Sequence, residues 1–236
     1  MKYKSTTGLL ITYYTGEGVL MAEDWKNTKK GENTRRRILQ AAKDVFSKHP
    51  YHSASVRMVG KAGDFDHPII HYYFPKKAGL FDAVVEDLIV ELEAFDKSWF
   101  EGLTKFPIDV GFGILIDRVF EFHYKSPELF RTVMQNTAYI EDYENFPAAT
   151  HYKAFHESFI KTFNDKIPYK ATPEDTSKFI YSFTVLATNY LGASTTYSEI
   201  MKIEDNSEEY KAWVKDTLVF ILLPRLEKII FGDSKR

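Results

Sequence analysis

The chain has 236 residues, of which 44% are hydrophobic and 16% aromatic, so it is long and apolar enough for two modest packed domains or one large one. Cysteine is absent, which excludes a disulfide framework and a thiolate metal site and fits a reducing cytoplasm. No apolar run reaches the roughly 18 residues that a membrane-spanning helix requires. We therefore expect a globular, cytoplasmic protein.

Residues 1 to 32 form an N-terminal extension that we predict to be flexible. Its apolar patch Gly8-Leu9-Leu10-Ile11 is too short, and too closely flanked by polar residues, for a signal peptide. Gly16-Glu17-Gly18 lies just before Met21, and the codons for these three residues can contain a purine-rich ribosome-binding sequence. Two interpretations follow: translation starts at Met21, or the first 20 residues are an authentic flexible arm that adds binding contacts.

The next segment, from residue 33 to about residue 50, has the pattern of an amphipathic helix. Three- and four-residue steps connect the apolar residues of one face, which are Ile38, Leu39, Ala42, Val45 and Phe46. The other side carries the basic residues that we expect in solvent, Arg35, Arg36, Arg37, Lys43 and Lys48. Asn33 or Thr34 can cap the start of this helix, and Pro50 ends it.

A second short helix is predicted for residues 55 to 62, with Val56, Val59 and Ala62 facing inward. Gly63-Asp64-Phe65 then forms a turn, because glycine and aspartate tolerate positive φ better than other residues.

A third helix follows from Asp66, its predicted cap, to about Phe74. Ile70 and Phe74 lie four residues apart and can anchor this helix to the core. The positions left to project outward are His67, Ile69, His71 and Tyr72. Such a row interacts poorly with solvent but suits a helix pressed into a DNA major groove, where imidazoles and apolar groups meet base edges and phosphates.

Positive charge is concentrated in the same segment. Residues 26 to 77 contain 12 of the 31 Lys and Arg residues but 4 of the 33 Asp and Glu residues, which leaves 19 against 29 elsewhere. A surface of this kind gains affinity for phosphates from counterion release, while an acidic remainder stays away from the duplex.

These residues resemble the tetracycline-repressor (TetR) family of one-component transcriptional regulators over about 50 residues. The resemblance rests on Thr34-Arg35-Arg36-Arg37-Ile38-Leu39, on Ser55-Val56-Arg57, and above all on the run from His71 to Phe81, HYYFPKKAGLF. It implies a helix-turn-helix reader of double-stranded operator DNA in residues 33 to 80 and a helical ligand-binding and dimerisation domain in residues 81 to 236. The implied contacts to DNA are Arg36, Ser55, Arg57, His67, Pro68, Ile69, His71, Tyr72, Tyr73 and Lys77. Of these, Ser55, Arg57, Tyr73 and Lys77 are expected to hold phosphates.

Three positions depart from the family pattern. Pro50 and Asp64 stand where glycine is usual, and Pro68 stands where a small residue is usual. Pro68 falls in the first turn of its helix, where a missing N–H costs little, so the fold is unaffected. Asp64 and Asp66, however, place two carboxylates beside the phosphate-binding surface. The alternative is therefore a ligand-binding or interaction module whose DNA reader is degenerate.

The rest of the chain shows only helical patterns, and we predict an all-α protein of about nine helices. The fourth helix runs from about residue 76 to 102, the fifth starts at Pro107 and the sixth follows Ser126-Pro127-Glu128, which has cap, first-turn proline and acidic first turn in the favoured order. The last three are predicted for residues 146 to 167, 172 to 202 and 206 to 232.

The last two helices look like an association surface. Small and apolar residues with a large aromatic and an arginine are typical of interfaces, and the predicted set is Val185, Thr188, Gly192, Trp213, Leu218, Ile221, Leu222 and Arg225. In the family that the chain resembles, two such helices from each subunit form a four-helix dimer bundle. A homodimer would recognise a palindrome with one reading helix from each subunit. The alternative is that both helices belong to the core.

The resemblance also implies a cavity enclosed by the fifth to eighth helices. Its predicted lining is aromatic with a few polar groups and comprises Phe95, Trp99, Leu115, Phe122, His123, Met134, Tyr139, Tyr152, Phe155, Phe159, Phe183 and Tyr190. Such a lining suits a small, mostly apolar or planar effector, and the simplest function is a repressor released by it. Aromatic residues at helical spacing also occur as ordinary core, and we expect about half of this set to be core.

Motifs for catalysis are not found in the sequence. It contains no P-loop, no G-x-S-x-G elbow and no G-x-G-x-x-G fingerprint, and His156-Glu157 lacks the second histidine of a zinc protease. His67 and His71 at i and i+4 could ligate a metal, but contact with DNA or solvent is the favoured interpretation. We therefore expect no enzyme activity, no cofactor and no metal.

Overall fold

A computed structural model describes residues 5–7, 10–15, 18–20, 28–96 and 98–232. The N-terminal extension contains three short antiparallel strands, β1 (Ser5–Thr7), β2 (Leu10–Thr15) and β3 (Gly18–Leu20), in the order β1-β2-β3. These strands were not predicted from the sequence. β-Branched and aromatic residues dominate Leu10–Thr15, which explains why an extended backbone is favoured there. Met21 lies outside the described residues.

Residues 28 to 232 of the described chain are helical apart from their connections, so the all-α prediction is confirmed for this part. Ten α-helices are present in it rather than about nine, together with one 3-10 turn at Leu103–Lys105. The helices are α1 (Lys29–Lys48), α2 (Val56–Gly63), α3 (His67–Tyr73), α4 (Lys77–Asp96), α5 (Ile108–Lys125), α6 (Glu128–Thr137), α7 (Ala149–Lys166), α8 (Pro173–Gly192), α9 (Ser194–Met201) and α10 (Glu208–Phe231).

The start of α1 differs from the prediction. Thr28 is its N-cap, and the Thr28 side chain accepts a hydrogen bond from the backbone N–H of Gly31 at 3.1 Å. The helix therefore begins one turn before Asn33 and Thr34, and the Thr34 hydroxyl donates back to the carbonyl of Lys30. The end is as predicted, because His49 is already extended before Pro50.

The extra helix arises because the predicted segment 172 to 202 is broken. Ala193 has φ −110° and ψ 24°, so it separates α8 from α9. The last residue of α8, Gly192, meets α6 so closely that a Cβ there would lie 2.7 Å from the carbonyl oxygen of Phe130. A side chain would push the two helices apart, which explains the glycine.

Helix α4 is shorter than predicted, since it ends at Asp96 instead of near Gly102. One guanidinium nitrogen of Arg118, on α5, donates to three carbonyl oxygens of the connection that follows: Ser98 at 3.0 Å, Trp99 at 2.6 Å and Glu101 at 3.0 Å. These bonds supply partners for carbonyls that a continued helix would have paired internally.

Helix α4 also joins the N-terminal helices to the C-terminal helices. The domain boundary predicted after residue 80 falls inside this helix. Its apolar residues Leu80, Phe81, Val84, Val85 and Leu88 are all buried. The ring of Phe81 lies edge-on to Phe46 of α1 at 4.9 Å between centroids, so α1 and α4 share one core.

Candidate nucleic-acid interface and cavity

Helices α2 and α3 form the expected helix-turn-helix. Ser55 caps α2 by accepting a hydrogen bond from the backbone N–H of Met58 at 3.3 Å, so its hydroxyl stabilises the helix. Asp64 ends α2 in the left-handed region with φ 54°, as the turn prediction requires. A Cβ at Gly60 would lie 2.8 Å from the carbonyl oxygen of Phe65, so only glycine allows this close turn.

Helix α3 rests on the core through the residues that the sequence indicated. Ile70 is fully buried, and Phe74, the residue that ends the helix, is buried as well. In α2, Val59 is buried and Val56 is half-buried, but Ala62 is exposed, so the prediction that Ala62 faces inward is wrong. Asp66 occupies the N-cap position of α3 without a side-chain cap hydrogen bond.

The outer surface of this unit carries most of the predicted contact residues. Arg36, Arg57, His67 and Pro68 are exposed, while Ser55, Ile69, His71, Tyr72 and Lys77 are half-buried. Tyr73 differs, because it is 9% exposed and its ring packs against Tyr72 with 5.1 Å between centroids. The structure therefore places the Tyr73 ring in the core that supports α3 and not on the outer surface.

Lys77 has an internal role that the sequence did not reveal. Its ammonium group donates to the carbonyl oxygens of Tyr51 at 2.8 Å and Ala54 at 3.2 Å, and it lies 4.3 Å from the centre of the Tyr51 ring. Burial lowers the pKa of Lys77 below its ordinary value. Two of its three donors thus tie α4 to the α1–α2 connection, and a phosphate contact through the third stays a prediction.

Two arginines of α1 lie over aromatic rings at the edge of the same unit. The Arg35 guanidinium is 5.2 Å from the centre of the Phe74 ring, and that of Arg37 is 5.0 Å from the Phe65 ring. Arg36 lies between them and is exposed. The exposed carboxylates Asp64 and Asp66 stand beside this cationic surface, as expected.

Lys43 was predicted to face solvent, and this was wrong. Lys43 is 5% exposed, and its ammonium group contacts Asp87 at 2.7 Å and Glu91 at 2.5 Å, both on α4. Burial alone lowers the pKa of Lys43, but the hydrogen bonds that its ammonium donates to the two carboxylates, together with their negative charges, outweigh burial and leave that pKa above its ordinary value. Glu91 also accepts a bond from the Ser126 hydroxyl at 3.0 Å, so the cluster connects α1, α4 and the start of α6.

A cavity of about 380 Å³ lies in the C-terminal part and is mostly apolar. Five of the predicted lining residues border it: Trp99, Tyr152, Phe155, Phe159 and Phe183. The sixth helix was expected to take part through Met134, but the α6 residues that border the cavity are Leu129, Phe130, Val133 and Thr137, which were not predicted. No aromatic pattern marks these positions except at Phe130, which explains the omission.

The other predicted lining residues lie elsewhere. Phe122 is buried between the rings of Trp99 and Phe130, and Leu115 borders a second cavity of about 250 Å³. Phe95 faces the Lys125 ammonium at 4.3 Å, while the ring of Tyr190 packs on Trp213 at 5.7 Å. The remaining members of the set are His123, which is buried, Tyr139, which is exposed beside His52, and Met134, which lies near Gly192.

Helix α6 contacts the cavity with one side and the N-terminal helices with another. The amide oxygen of Asn136 accepts the backbone N–H of Tyr51 at 2.7 Å, and the amide nitrogen of Gln135 donates to the carbonyl of Ser47 at 2.8 Å. Ser47 is near the end of α1 and Tyr51 follows it. The cavity wall formed by α6 is therefore adjacent to the reader, because the same helix contacts both.

The predicted association surface is only partly at the surface of the subunit. Val185, Trp213, Ile221 and Arg225 are exposed, and so is Phe220, which the sequence analysis missed and which is 81% exposed. Gly192, Leu218 and Leu222 are buried inside the subunit, so these three do not offer surface to another copy. In α10 the buried positions recur every four residues, and the residues beside them face out. Thr188 is half-buried and borders the cavity.

His123 gives a prediction about acid stability. It is 1% exposed, its Nε2 lies 3.3 Å from the Oδ1 atom of Asn206, and burial lowers its pKa to about 4. Between about pH 6.5 and pH 4, His123 is protonated in the unfolded chain but not in the folded chain. The free energy of unfolding therefore falls as the pH falls through this range. We expect His123 to account for a loss of about 2 kcal/mol between pH 7 and pH 5.

Urea unfolding at both pH values measures this loss. The variant His123→Gln should show a smaller pH dependence than the wild type, while His49→Ala, which removes an exposed histidine, should leave it unchanged. An unaltered pH dependence in His123→Gln would contradict the assignment.

Within the described residues, no helix is long and apolar enough to cross a membrane. The same part of the chain holds no group of three or more His, Cys, Asp or Glu residues that could bind a metal ion.

The helix-turn-helix segment is similar in sequence to known regulatory proteins. Residues 38–84 match the family model described as bacterial regulatory proteins, tetR family. The uncharacterized HTH-type transcriptional regulator YdgC of Bacillus subtilis (strain 168) is 27% identical over 95 residues, which are 39% of this chain and 49% of that protein. The match thus spans about half the length of this curated relative.

Solved structures resemble the chain over most of its length. A tetR-family transcriptional regulator from Streptomyces coelicolor aligns with a TM-score of 0.59 and 14% identity, covering 83% of this chain and 81% of that one. Salmonella enterica GusR aligns with a TM-score of 0.52 and 19% identity, covering 84% and 99%. These likenesses show the fold. The match in residues 38–84 covers the helix-turn-helix formed by α2 and α3, so this unit is similar to that of the bacterial regulatory proteins of the tetR family.

Proposed function

We propose that the protein is a homodimeric DNA-binding regulator of transcription, a repressor that leaves a palindromic operator when a small effector occupies the cavity. The observation that carries this proposal is the position of α6. Leu129, Phe130 and Val133 form cavity wall, and Gln135 and Asn136 of the same helix bond to the reader. The protein is not an enzyme in this proposal, requires no cofactor and acts in the cytoplasm.

Helix α3 is the proposed reading element. His67 and Pro68 are exposed and Ile69, His71 and Tyr72 half-exposed on one unit with Arg36 and Arg57. The arginines, with the Ser55 hydroxyl and the third donor of Lys77, contact phosphates, while the α3 side chains meet base edges. Phosphate contacts position the helix, and base contacts supply sequence preference.

Dimerisation uses the outer faces of α8 and α10. These faces expose Tyr181 and Val185 on α8 and Trp213, Phe220 and Ile221 on α10, which are apolar groups of a kind that isolated subunits rarely present together. Arg225, four residues after Ile221 on α10, is exposed and pairs with Asp175 of α8 at 2.9 Å. A two-fold axis through this surface brings two reading helices to the two halves of a palindrome.

The cavity selects a small, uncharged, mostly apolar effector with a hydrogen-bond acceptor. Its wall includes the rings of Phe159 and Phe183, which lie nearly parallel at 6.5 Å between centroids. Among the described residues, Trp99 Nε1 and the Tyr152 hydroxyl are buried donors without a hydrogen-bond partner. Burial raises the pKa of Tyr152 and lowers that of His156, so both side chains are neutral near pH 7. An acceptor atom on the effector can pair with either donor once the side chains that cover it move aside.

Effector binding can change operator affinity only through different affinities for two conformations of the dimer. In this proposal the effector stabilises a position of α6 in which its contacts with Tyr51 and Ser47 differ from those of the DNA-bound dimer. The separation of the two readers differs as a result.

The variant His71→Ala tests the reading helix. We expect operator affinity to fall by about tenfold, because one contact to a base edge is typically worth 1 kcal/mol or more. The measurement is a mobility-shift titration on the promoter region of the protein's own gene. His151→Ala, on α7, is the control and should bind like the wild type. Undiminished binding by His71→Ala would remove this histidine from the proposed contacts.

The second candidate is a ligand-binding or interaction module with a degenerate reader, which the exposed carboxylates of Asp64 and Asp66 favour. Salt separates the two functions. A true operator reader shows a sequence preference, and its affinity falls steeply as salt rises, because counterions are released from each neutralised phosphate. A degenerate module shows no preference and little slope.

A further inference from the structure

Two histidines of α3 face one another in a geometry that the reading function does not require. The Nε2 atoms of His67 and His71 are 3.2 Å apart, and their ring centroids are 4.3 Å apart. The four-residue spacing places both rings on one side of the helix. His67 is exposed and His71 is half-buried, so the space beyond the two nitrogens is reached from solvent.

The second ring nitrogen of His71 fixes which nitrogen is free to act as a ligand. His71 Nδ1 lies 3.1 Å from the carbonyl oxygen of Pro75. A carbonyl can only accept a hydrogen bond, so Nδ1 carries the proton and donates it. The lone pair of His71 is therefore on Nε2, which points to His67. Metal-binding histidines are held in the same way, with the other ring N–H donating to a carbonyl or a carboxylate.

We propose that His67 and His71 form a binding site for a divalent transition-metal ion of the zinc, nickel or copper class. With zinc-to-nitrogen bonds of about 2.0–2.1 Å, an Nε2–Nε2 separation of 3.2 Å corresponds to a nitrogen–metal–nitrogen angle of roughly 100–105°, close to tetrahedral. The separation of the two nitrogens therefore matches that of two zinc ligands, and binding requires a change of tautomer at His67 and a turn of the rings that directs both lone pairs at the ion. Two neutral imidazoles suit these metals and not calcium or magnesium, which prefer oxygen ligands.

Without metal, the same geometry is a hydrogen bond in which His67 Nε2–H donates to His71 Nε2. Binding an ion moves the His67 proton to Nδ1 and replaces this bond by two metal–nitrogen bonds. The remaining coordination positions face outward and hold water, since the described part of the chain offers no third His, Cys, Asp or Glu. Under the proposed function, these positions face the duplex, where a phosphate oxygen or a base nitrogen can replace the water.

Calorimetric titration of the full-length protein with zinc chloride, in a buffer that does not chelate zinc and without DNA, tests the site. We expect one saturable zinc ion per chain, with affinity reduced at least tenfold in His67→Ala and equally in His71→Ala. His49→Ala removes another exposed histidine of the same domain and should bind like the wild type. Both substituted side chains lie at the surface, and a circular dichroism melt of each variant confirms that the fold is retained.

A second readout follows the imidazole nitrogens directly. Zinc should shift the Nε2 resonances of both His67 and His71 in nitrogen-15 spectra and leave the Nδ1 resonance of His71 that of a protonated nitrogen. Absence of a saturable zinc site, or binding that survives in either alanine variant, overturns the proposal. Because no DNA is present, these results are independent of whether the protein reads an operator.

Discussion

Replacing Lys43 by alanine should lower the free energy of unfolding by about 2 kcal/mol, because it leaves two carboxylates of α4 without the cation between them. Lys43 is 5% exposed and contacts both Asp87 and Glu91, whose side chains are about half exposed. Full burial of all three groups would give a larger cost. Here water can return to the carboxylates, which limits the loss.

The matched control is another lysine of the same helix. Lys48 pairs with Asp44 at the exposed end of α1, and surface pairs of this kind contribute about 0.5 kcal/mol or less. Urea unfolding of both variants should be measured at one protein concentration, since the stability of the proposed dimer would depend on concentration. Equal losses in Lys43→Ala and Lys48→Ala would show that the buried cluster does not hold α1 against α4.

Replacing Asn136 by alanine should also cost about 2 kcal/mol, because it leaves the backbone N–H of Tyr51 without its acceptor. Asn136 is 1% exposed, and besides accepting this N–H at 2.7 Å it donates to the carbonyl of Thr132 at 2.7 Å. Its loss removes a direct bond between the helix that walls the cavity and the chain that follows α1.

Urea unfolding measures the size of this effect, and hydrogen–deuterium exchange shows where in the chain it occurs. The peptide that contains Tyr51 should exchange faster in Asn136→Ala than in the wild type, while peptides from α10 should be unchanged. Asn145→Ala is the control, because Asn145 is exposed and bonds only locally to Asp142. Unchanged exchange at Tyr51 would mean that α6 is not coupled to the reader through this bond.

The parts of the structure that follow from short-range periodicity could be predicted from the sequence. The apolar steps of α1, the left-handed turn at Asp64 and the burial of Ile70 and Phe74 depend on neighbours within a few residues, and all are found. The end of α1 at His49 is equally local, because Pro50 disfavours helix at the preceding residue.

Features that depend on distant partners could not be predicted. The helical pattern of α1 predicts that Lys43 faces solvent. In the structure it is buried against Asp87 and Glu91, which lie more than forty positions later in the chain. The break before Ser194 has no proline to mark it. In α10, the same apolar pattern contains both the buried Leu218 and Leu222 and the exposed Phe220, so the sequence shows a hydrophobic helix without showing which side meets another subunit.

Only five of the twelve predicted lining residues border the cavity, for a related reason. Aromatic spacing identified α7 and part of α8, but the α6 wall consists of ordinary residues such as Leu129, Val133 and Thr137. Their role follows from the packing of α6 against α8, where Gly192 allows the close approach to Phe130.

We propose that the outer face of α3 reads duplex DNA in a dimer. The direct measurement is a binding titration of wild-type protein on the promoter region of its own gene and on a scrambled duplex of equal length, repeated at several salt concentrations. We expect tighter binding to the promoter, two chains per site and an affinity that falls steeply with salt. Equal binding to both duplexes, with little dependence on salt, would contradict it.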